Sequence, residues 1–255
     1  MAGNFRSACL TRAVESGHIV VLPLVAACDN AARLPIRSPK RAERGEGRIL
    51  PLQATVQDLC AVTEEDALRA QAYALLARLL AEPPSAELIR SVAALEGDAS
   101  VLGLALNELA AAARCASAEA LGEEYHALFI GLAGGELTPY GSYYLTGFLF
   151  EKPLAELRGD LARLGIVRQE RRTKDPEDHI AMLCEAMAGL ITGAFGEGPA
   201  ALAEQHAFFD RHLGSWAQQF FADLEAAEAA RFYRPVGKIG RHFMEIERQA
   251  FAMAA

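Results

Sequence analysis

The sequence predicts an all-α protein, a single compact domain of about ten helices preceded by an irregular N-terminal extension. Three observations predict it. Ala and Leu dominate the 255 residues and β-branched residues are sparse, so good helix formers fill nearly every segment after position 60. Beyond Thr63, apolar residues recur at the spacing that places them on one helical face. Ser, Thr, Pro and Gly fall where helices begin and end. The extension spans residues 1–60 and the helical domain residues 61–255.

The extension has its own composition. Ile19 to Ala27 is a short apolar run interrupted by Pro23. Arg33 to Arg48 is basic, rich in Pro and Gly, and aperiodic, as in a disordered linker. Arg6 and Arg12 precede the apolar run, and Val25-Ala26-Ala27-Cys28 follows the small-small-Cys pattern of a lipoprotein cleavage site. Glu15, His18 and Pro23 speak against export. A plainer explanation is a start of translation at Val56 or Val62, with Val62-Thr63-Glu64-Glu65-Asp66 as a natural beginning.

From Thr63 the elements follow in order. Thr63 is an N-cap followed by first-turn acids. Leu68, Ala72, Leu75, Leu76, Leu79 and Leu80 form the inward stripe, and Pro83-Pro84 ends the helix. Ser85 opens a second helix, and a third runs from Ser100 to Arg114. Ser117 caps a fourth, on which Leu121, Tyr125, Leu128 and Phe129 share a face. Gly131 to Gly135 is a glycine-rich break. A short helix covers Ser142 to Phe150. The next begins at Pro153, turns Leu154, Leu157, Leu161 and Leu164 inward, and stops at Gly165. Val167 to Lys174 is a basic loop. Asp175 caps a helix with Pro176 at its first position, Glu177 and Asp178 in its first turn, and a stripe of Ile180, Leu183, Cys184, Met187 and Ile191. Two helices follow, over residues 199–213 and 215–228. The last starts at Pro235 with Val236, Ile239, Phe243, Ile246 and Ala250 inward. No strand is expected.

Charge separates the two regions. The chain carries a net −8; residues 1–50 hold eight Lys/Arg and four Asp/Glu, which leaves 17 and 29, a net −12, for the rest. An acidic body argues against nucleic acid and favours basic partners. No apolar run approaches the ~20 residues of a membrane span. The five cysteines (Cys9, Cys28, Cys60, Cys115 and Cys184) form no CxxC pair and read as small buried side chains in a reducing compartment.

Catalytic constellations are missing from the sequence. Glu-x-x-His, the unit of di-iron bundles, occurs at Glu123–His126 and at Glu15–His18, contexts too different for a symmetric site. There is no HExxH, no zinc spacing, no GxSxG elbow, and no GK[ST] after the glycines at 131, 134 and 135. Cys184 lies on an apolar face, where a thiol is inert. Asp178-His179 is the one tempting acid–base pair. A helix start explains it at least as well, because neighbouring helical residues point about 100° apart. Tyr125, Leu128 and Phe129 equally read as core, whereas the tyrosines at 125, 140, 143 and 144 suit the lining of a half-exposed groove.

Three ordered motifs carry a resemblance: Tyr125-His126-Ala127-Leu128-Phe129, Pro139-Tyr140-Gly141-Ser142-Tyr143-Tyr144 and Asp175-Pro176-Glu177-Asp178-His179. With the last helix, Phe243-Met244-Glu245-Ile246-Glu247, they resemble the TorD/DmsD/NarJ family of molybdoenzyme chaperones, the redox enzyme maturation proteins, over residues 63–252. The resemblance implies a TorD-like helical fold and no catalysis. It implies a cytoplasmic chaperone, monomer or dimer, that binds the twin-arginine signal peptide of a molybdoenzyme precursor, assists cofactor insertion and delays export. It places peptide binding at Tyr125, Leu128, Phe129, Pro139, Tyr140, Gly141, Ser142, Tyr144, Pro176, Glu177, Asp178 and His179. Asp175 stands where the family usually has Glu, and Leu121 where some members carry an acid. Glu124, Glu177 and Asp178 would pair with leader arginines, and a Tyr/Leu/Phe groove would hold its apolar region. The alternatives that the resemblance allows are a NarJ-like assembly factor for the mature part of a redox subunit and a weak guanine-nucleotide binder.

Overall fold

The computed structural model describes residues 36–37, 62–131, 134–168, 175–196 and 198–254. Among them are ten α-helices: α1 (Glu64–Ala81), α2 (Ala86–Ala93), α3 (Val101–Cys115), α4 (Ala118–Phe129), α5 (Gly141–Thr146), α6 (Lys152–Arg163), α7 (Ile180–Thr192), α8 (Leu202–Phe209), α9 (Ala217–Ala226) and α10 (Tyr233–Ala254). A π-turn, Asp210–Gly214, joins α8 to α9.

The expected caps hold the first four helices. Thr63, Ser85, Ser100 and Ser117 each accept a backbone N–H three residues on, so each satisfies one of the donors that a helix start leaves unpaired. Gly147, at φ 82°, ends α5 in the left-handed region, where a Cβ would be strained. That stop makes α5 shorter than its apolar pattern, which runs on to Phe150.

Helix α7 is the central element. It is apolar except for a narrow stripe of Glu185, Ala188 and Thr192, the residues on it that are not buried, and Ile180, Leu183, Cys184, Met187 and Ile191 are all buried. Helix α1 packs along it, and α9 packs along α10. Leu75, Leu76, Leu79 and Leu80 of the α1 stripe are buried as expected, but toward the start of the helix Arg69 and Tyr73 are buried and Leu68 and Ala72 only half-buried. The cause is Glu247 of α10, which is fully buried. Arg69 donates to both its oxygens, at 2.7 and 2.9 Å, and the Tyr73 hydroxyl donates at 3.1 Å. This closed set of charge-assisted bonds ties the first helix of the bundle to the last.

Three expectations are corrected. A minimal antiparallel ladder exists, Ile36–Arg37 (β1) against Val167–Arg168 (β2), because these residues lie outside the helical pattern and their backbone groups find partners in each other. Cys115 ends α3 exposed, not buried, while Cys184 is buried and its thiol pushed up by burial. Helix α7 begins at Ile180 with His179 as its N-cap, so Glu177 and Asp178 sit in the preceding turn and not in its first turn. The apolar run 19–27, Cys9, Cys28, Cys60, the Glu15–His18 pair and Val56 lie outside the described residues.

Candidate functional site

Two of the three motifs meet directly. The segment entering α5 and the turn entering α7 run antiparallel through a single bridge, Tyr140 with His179. Gly141 N donates to the Asp178 carbonyl at 3.0 Å and Ile180 N to the Pro139 carbonyl at 2.9 Å. Pro139 and Pro176 are buried beside this junction. Proline lacks an N–H, so each fixes the chain before a helix without leaving a donor unpaired.

Asp178 locks the junction with its side chain. Its Oδ2 accepts the Ser142 N–H at 2.7 Å and the Ser142 hydroxyl, so it acts as a cap for α5 supplied from another element. Only 3% of Asp178 is exposed, and its Oδ1 is buried with no hydrogen-bond partner. A buried carboxylate oxygen without a donor costs about 1–3 kcal/mol and more when charged. His179 is buried too; its Nδ1 accepts the Ala181 N–H at 3.2 Å. Burial lowers its pKa to about 4, against the opposing pull of Asp175 and Asp178.

The Tyr125 motif lies close enough to the junction to feel the charge of Asp175, a carboxylate that Tyr140 already engages. Tyr140 donates to Asp175 Oδ1 at 3.0 Å, and burial, with that carboxylate, raises its pKa. Burial and the same Asp175 raise the pKa of Tyr125, whose hydroxyl donates to the Leu80 carbonyl at 3.1 Å. Tyr125 and Leu128 are nonetheless core residues, at 6% and 0% exposure, and the half-buried Phe129 packs its edge on Tyr125 and Tyr233. Tyr125 and Phe129 pack against each other and Tyr233, and with Leu128 they do not form an open groove. Tyr144 lies on the other side, near Trp216 and Phe220, with its hydroxyl on Asp223 at 2.9 Å.

The carboxylates expected to meet arginines are differently employed. Glu124 receives the N–H groups of Arg231, Phe232 and Tyr233 and so holds the start of α10. Glu177 pairs with Arg158 at 2.8 Å. Asp178 keeps a buried oxygen without a hydrogen-bond partner.

That residue lines a cavity of about 60 Å³ between α5, α6 and the π-turn. The volume admits a group of roughly four heavy atoms, the size of a guanidinium. Its walls add residues that the sequence did not mark as a site: Leu145, Pro153, Glu156, Arg211, His212 and Trp216. Trp216 rests on Gly141, where an added Cβ would stand 3.2 Å from the indole nitrogen. The indole N–H donates to the His212 carbonyl at 2.7 Å, and His212 Nε2 lies 2.8 Å from Asp160. Burial opposes the Asp160 charge, yet His212 and Arg211 hold its carboxyl below the usual carboxylate range. One sequence signal could have found this wall: Trp216 is the only tryptophan of the chain; the structure adds that it sits just after a π-turn, a form common at functional sites.

The described residues contain no group of His, Cys, Asp and Glu placed to hold a metal ion, and no helix long and apolar enough to cross a membrane.

Comparison with known proteins bears on the motifs as a set. A family model for the nitrate reductase delta subunit matches residues 95–222, half of the chain. Two curated relatives from strains of Vibrio cholerae serotype O1, each named chaperone protein TorD, are 26% identical over 134 residues. Those alignments take in 50% of this chain and 60% of each relative. A crystal structure of a candidate redox enzyme maturation protein from Archaeoglobus fulgidus superposes with a TM-score of 0.47 at 21% identity, covering 72% of this chain and 94% of that one. The matched region contains the first two motifs, the third and the cavity wall alike, and the chain belongs to the nitrate reductase delta subunit family, the TorD- and NarJ-like group that the motifs resemble.

Proposed function

We propose that residues 61–255 form a non-catalytic, cytoplasmic chaperone that binds the twin-arginine signal peptide of a molybdenum-cofactor oxidoreductase precursor. It would assist cofactor insertion and hold back export until the precursor is mature. The curated relatives named as TorD chaperones support the class of function. One observation carries the binding mode: the unpartnered Asp178 Oδ1, on a residue that lines a cavity of guanidinium size. A buried carboxylate held by Ser142 on one oxygen offers the other to a cationic donor, and a charge-assisted bond formed there is stronger than one at the surface.

The test is calorimetric titration with a synthetic peptide bearing two adjacent arginines and an apolar stretch of about 7–15 residues. Asp178→Asn keeps an oxygen for Ser142 but turns an amide donor toward the cavity. It should weaken binding about tenfold or more, since hydrogen bonds to charged groups contribute about 1.5–3 kcal/mol. Replacing both peptide arginines by glutamine should abolish the difference between variant and wild type. Equal affinity of Asp178→Asn and wild type for the arginine peptide would refute the site. His179→Ala is a poor probe, because it removes the cap of α7.

The family model favours a second reading, an assembly factor that grips the mature part of a redox subunit. Deleting the leader from the precursor separates the two, since only a leader-binder loses affinity.

A further inference from the structure

Helix α5 and the loop after it present apolar side chains that the fold leaves exposed. Phe148 and Phe150 are 69% and 71% exposed, and Tyr143, Leu145 and Leu149 are each 40% exposed or more. Phe150 also has φ 63°, the left-handed region that glycine favours and a bulky side chain resists. Glycine would relieve that backbone at no loss of buried contact. Five exposed apolar side chains along one segment mark an interaction surface, not scattered surface carbon.

The position of this segment identifies what it would meet. Leu145, at one end, and Pro153, just beyond the other, both line the cavity that Asp178 lines. Phe148, Leu149 and Phe150 therefore continue from the rim of the cavity outward. A chain that places a cationic side chain beside Asp178 Oδ1 carries its neighbouring residues onto this rim. The net −12 of residues 51–255 selects for a basic ligand and against an acidic one.

We infer that Leu145, Phe148, Leu149 and Phe150 form the seat for the apolar stretch of the leader, directly adjoining the cavity that takes its arginine. The inference rests on the proposed leader binding and deepens it: recognition has two contiguous halves, one polar and buried, the other apolar and exposed. The second half explains why a strained, exposed phenylalanine stands where glycine would stabilise the loop.

The test uses the full chain and the double variant Phe148→Ser/Phe150→Gly. Both positions are exposed, and the glycine relieves φ 63°, so the urea midpoint should stay equal or rise. Affinity for the arginine peptide with its apolar stretch should fall about tenfold or more, as for loss of aromatic anchors. Affinity for a peptide with the same arginines and a Ser/Gly stretch should match wild type. Unchanged affinity for the first peptide overturns the seat and leaves leader binding at Asp178 intact. Equal losses for both peptides overturn it as well, by showing that the loop does not read the apolar stretch. Failure of wild type to bind either peptide overturns leader binding and the seat together. Sedimentation gives the remaining outcome: a wild-type dimer that the variant dissociates would assign this face to a second copy and overturn the inference.

Discussion

His179 accepts the Ala181 N–H on Nδ1, so its ring proton sits on Nε2 and the neutral imidazole is the form that caps α7. Protonation would put a hydrogen on Nδ1 and destroy that cap. Burial opposes the charge further and sets the pKa at about 4; burial lowers His212 in the same direction. An unfolded chain has histidines near 6.5, so between about pH 6.5 and 4 it binds more protons than the folded one. Stability is complete above that window and falls as the pH drops through it, by up to about 1.4 kcal/mol per pH unit for His179. His179→Asn keeps a capping side chain and removes the titration. Urea titrations from about pH 7 to 4.5 should show a shallower acid limb for the variant. Parallel limbs would mean that His179 is not a source of acid lability. The pair at 178–179 is legible in the sequence as a helix start. Its division of labour is not, because the partner of Asp178 lies 36 residues upstream at Ser142 and no local pattern encodes that contact.

Helix α10 shows the same limit at the level of an element. Its inward positions Val236, Ile239 and Phe243 follow from periodicity and are buried as expected. Ile246 and Ala250 are only half-buried, and the buried places nearby belong to Glu247 and Phe251. A buried glutamate has no signature in a hydrophobic pattern; its meaning comes from Arg69 on α1. Gly237 and Gly240 are equally silent in the sequence. A Cβ at Gly237 would stand 2.4 Å from the Glu225 backbone nitrogen, and one at Gly240 2.2 Å from the Phe221 ring, so these glycines set how closely α9 and α10 approach. Gly159, in α6, meets nothing within 4 Å. The two sites predict opposite signs for one substitution. Gly159→Ala should stabilise by about 0.5–1 kcal/mol, the ordinary helix-interior preference. Gly237→Ala should destabilise by about 1–3 kcal/mol through overpacking against backbone that cannot give way. Urea denaturation of both variants decides it; a stabilising Gly237→Ala would show that α9 and α10 are not held in close contact. The helices and their caps are thus legible one at a time, while the contacts that fix them against each other are not.

Across the whole molecule, charge acts at a distance that no single contact covers. The body carries a net −12, and the cationic ligand proposed for it would feel that field before it touches the cavity. The field and the contact respond differently to salt. Exposed charges lie in solvent, where the screening length falls from about 30 Å at 0.01 M to about 8 Å at 0.15 M. Asp178 is 97% removed from solvent by its 3% exposure, so a bond formed on its Oδ1 is screened far less. Salt should therefore slow the arrival of the leader and leave its departure almost unchanged. Stopped-flow measurement with the arginine peptide should show an association rate about tenfold lower at 0.15 M than at 0.01 M, with the dissociation rate constant within about twofold. Asp178→Asn should keep the same salt dependence of association, because one charge in a large net excess barely alters the field, and should dissociate faster at every salt concentration. A salt-dependent dissociation rate in wild type would place the arginine contact at the surface and not in the buried cavity, whatever the affinity.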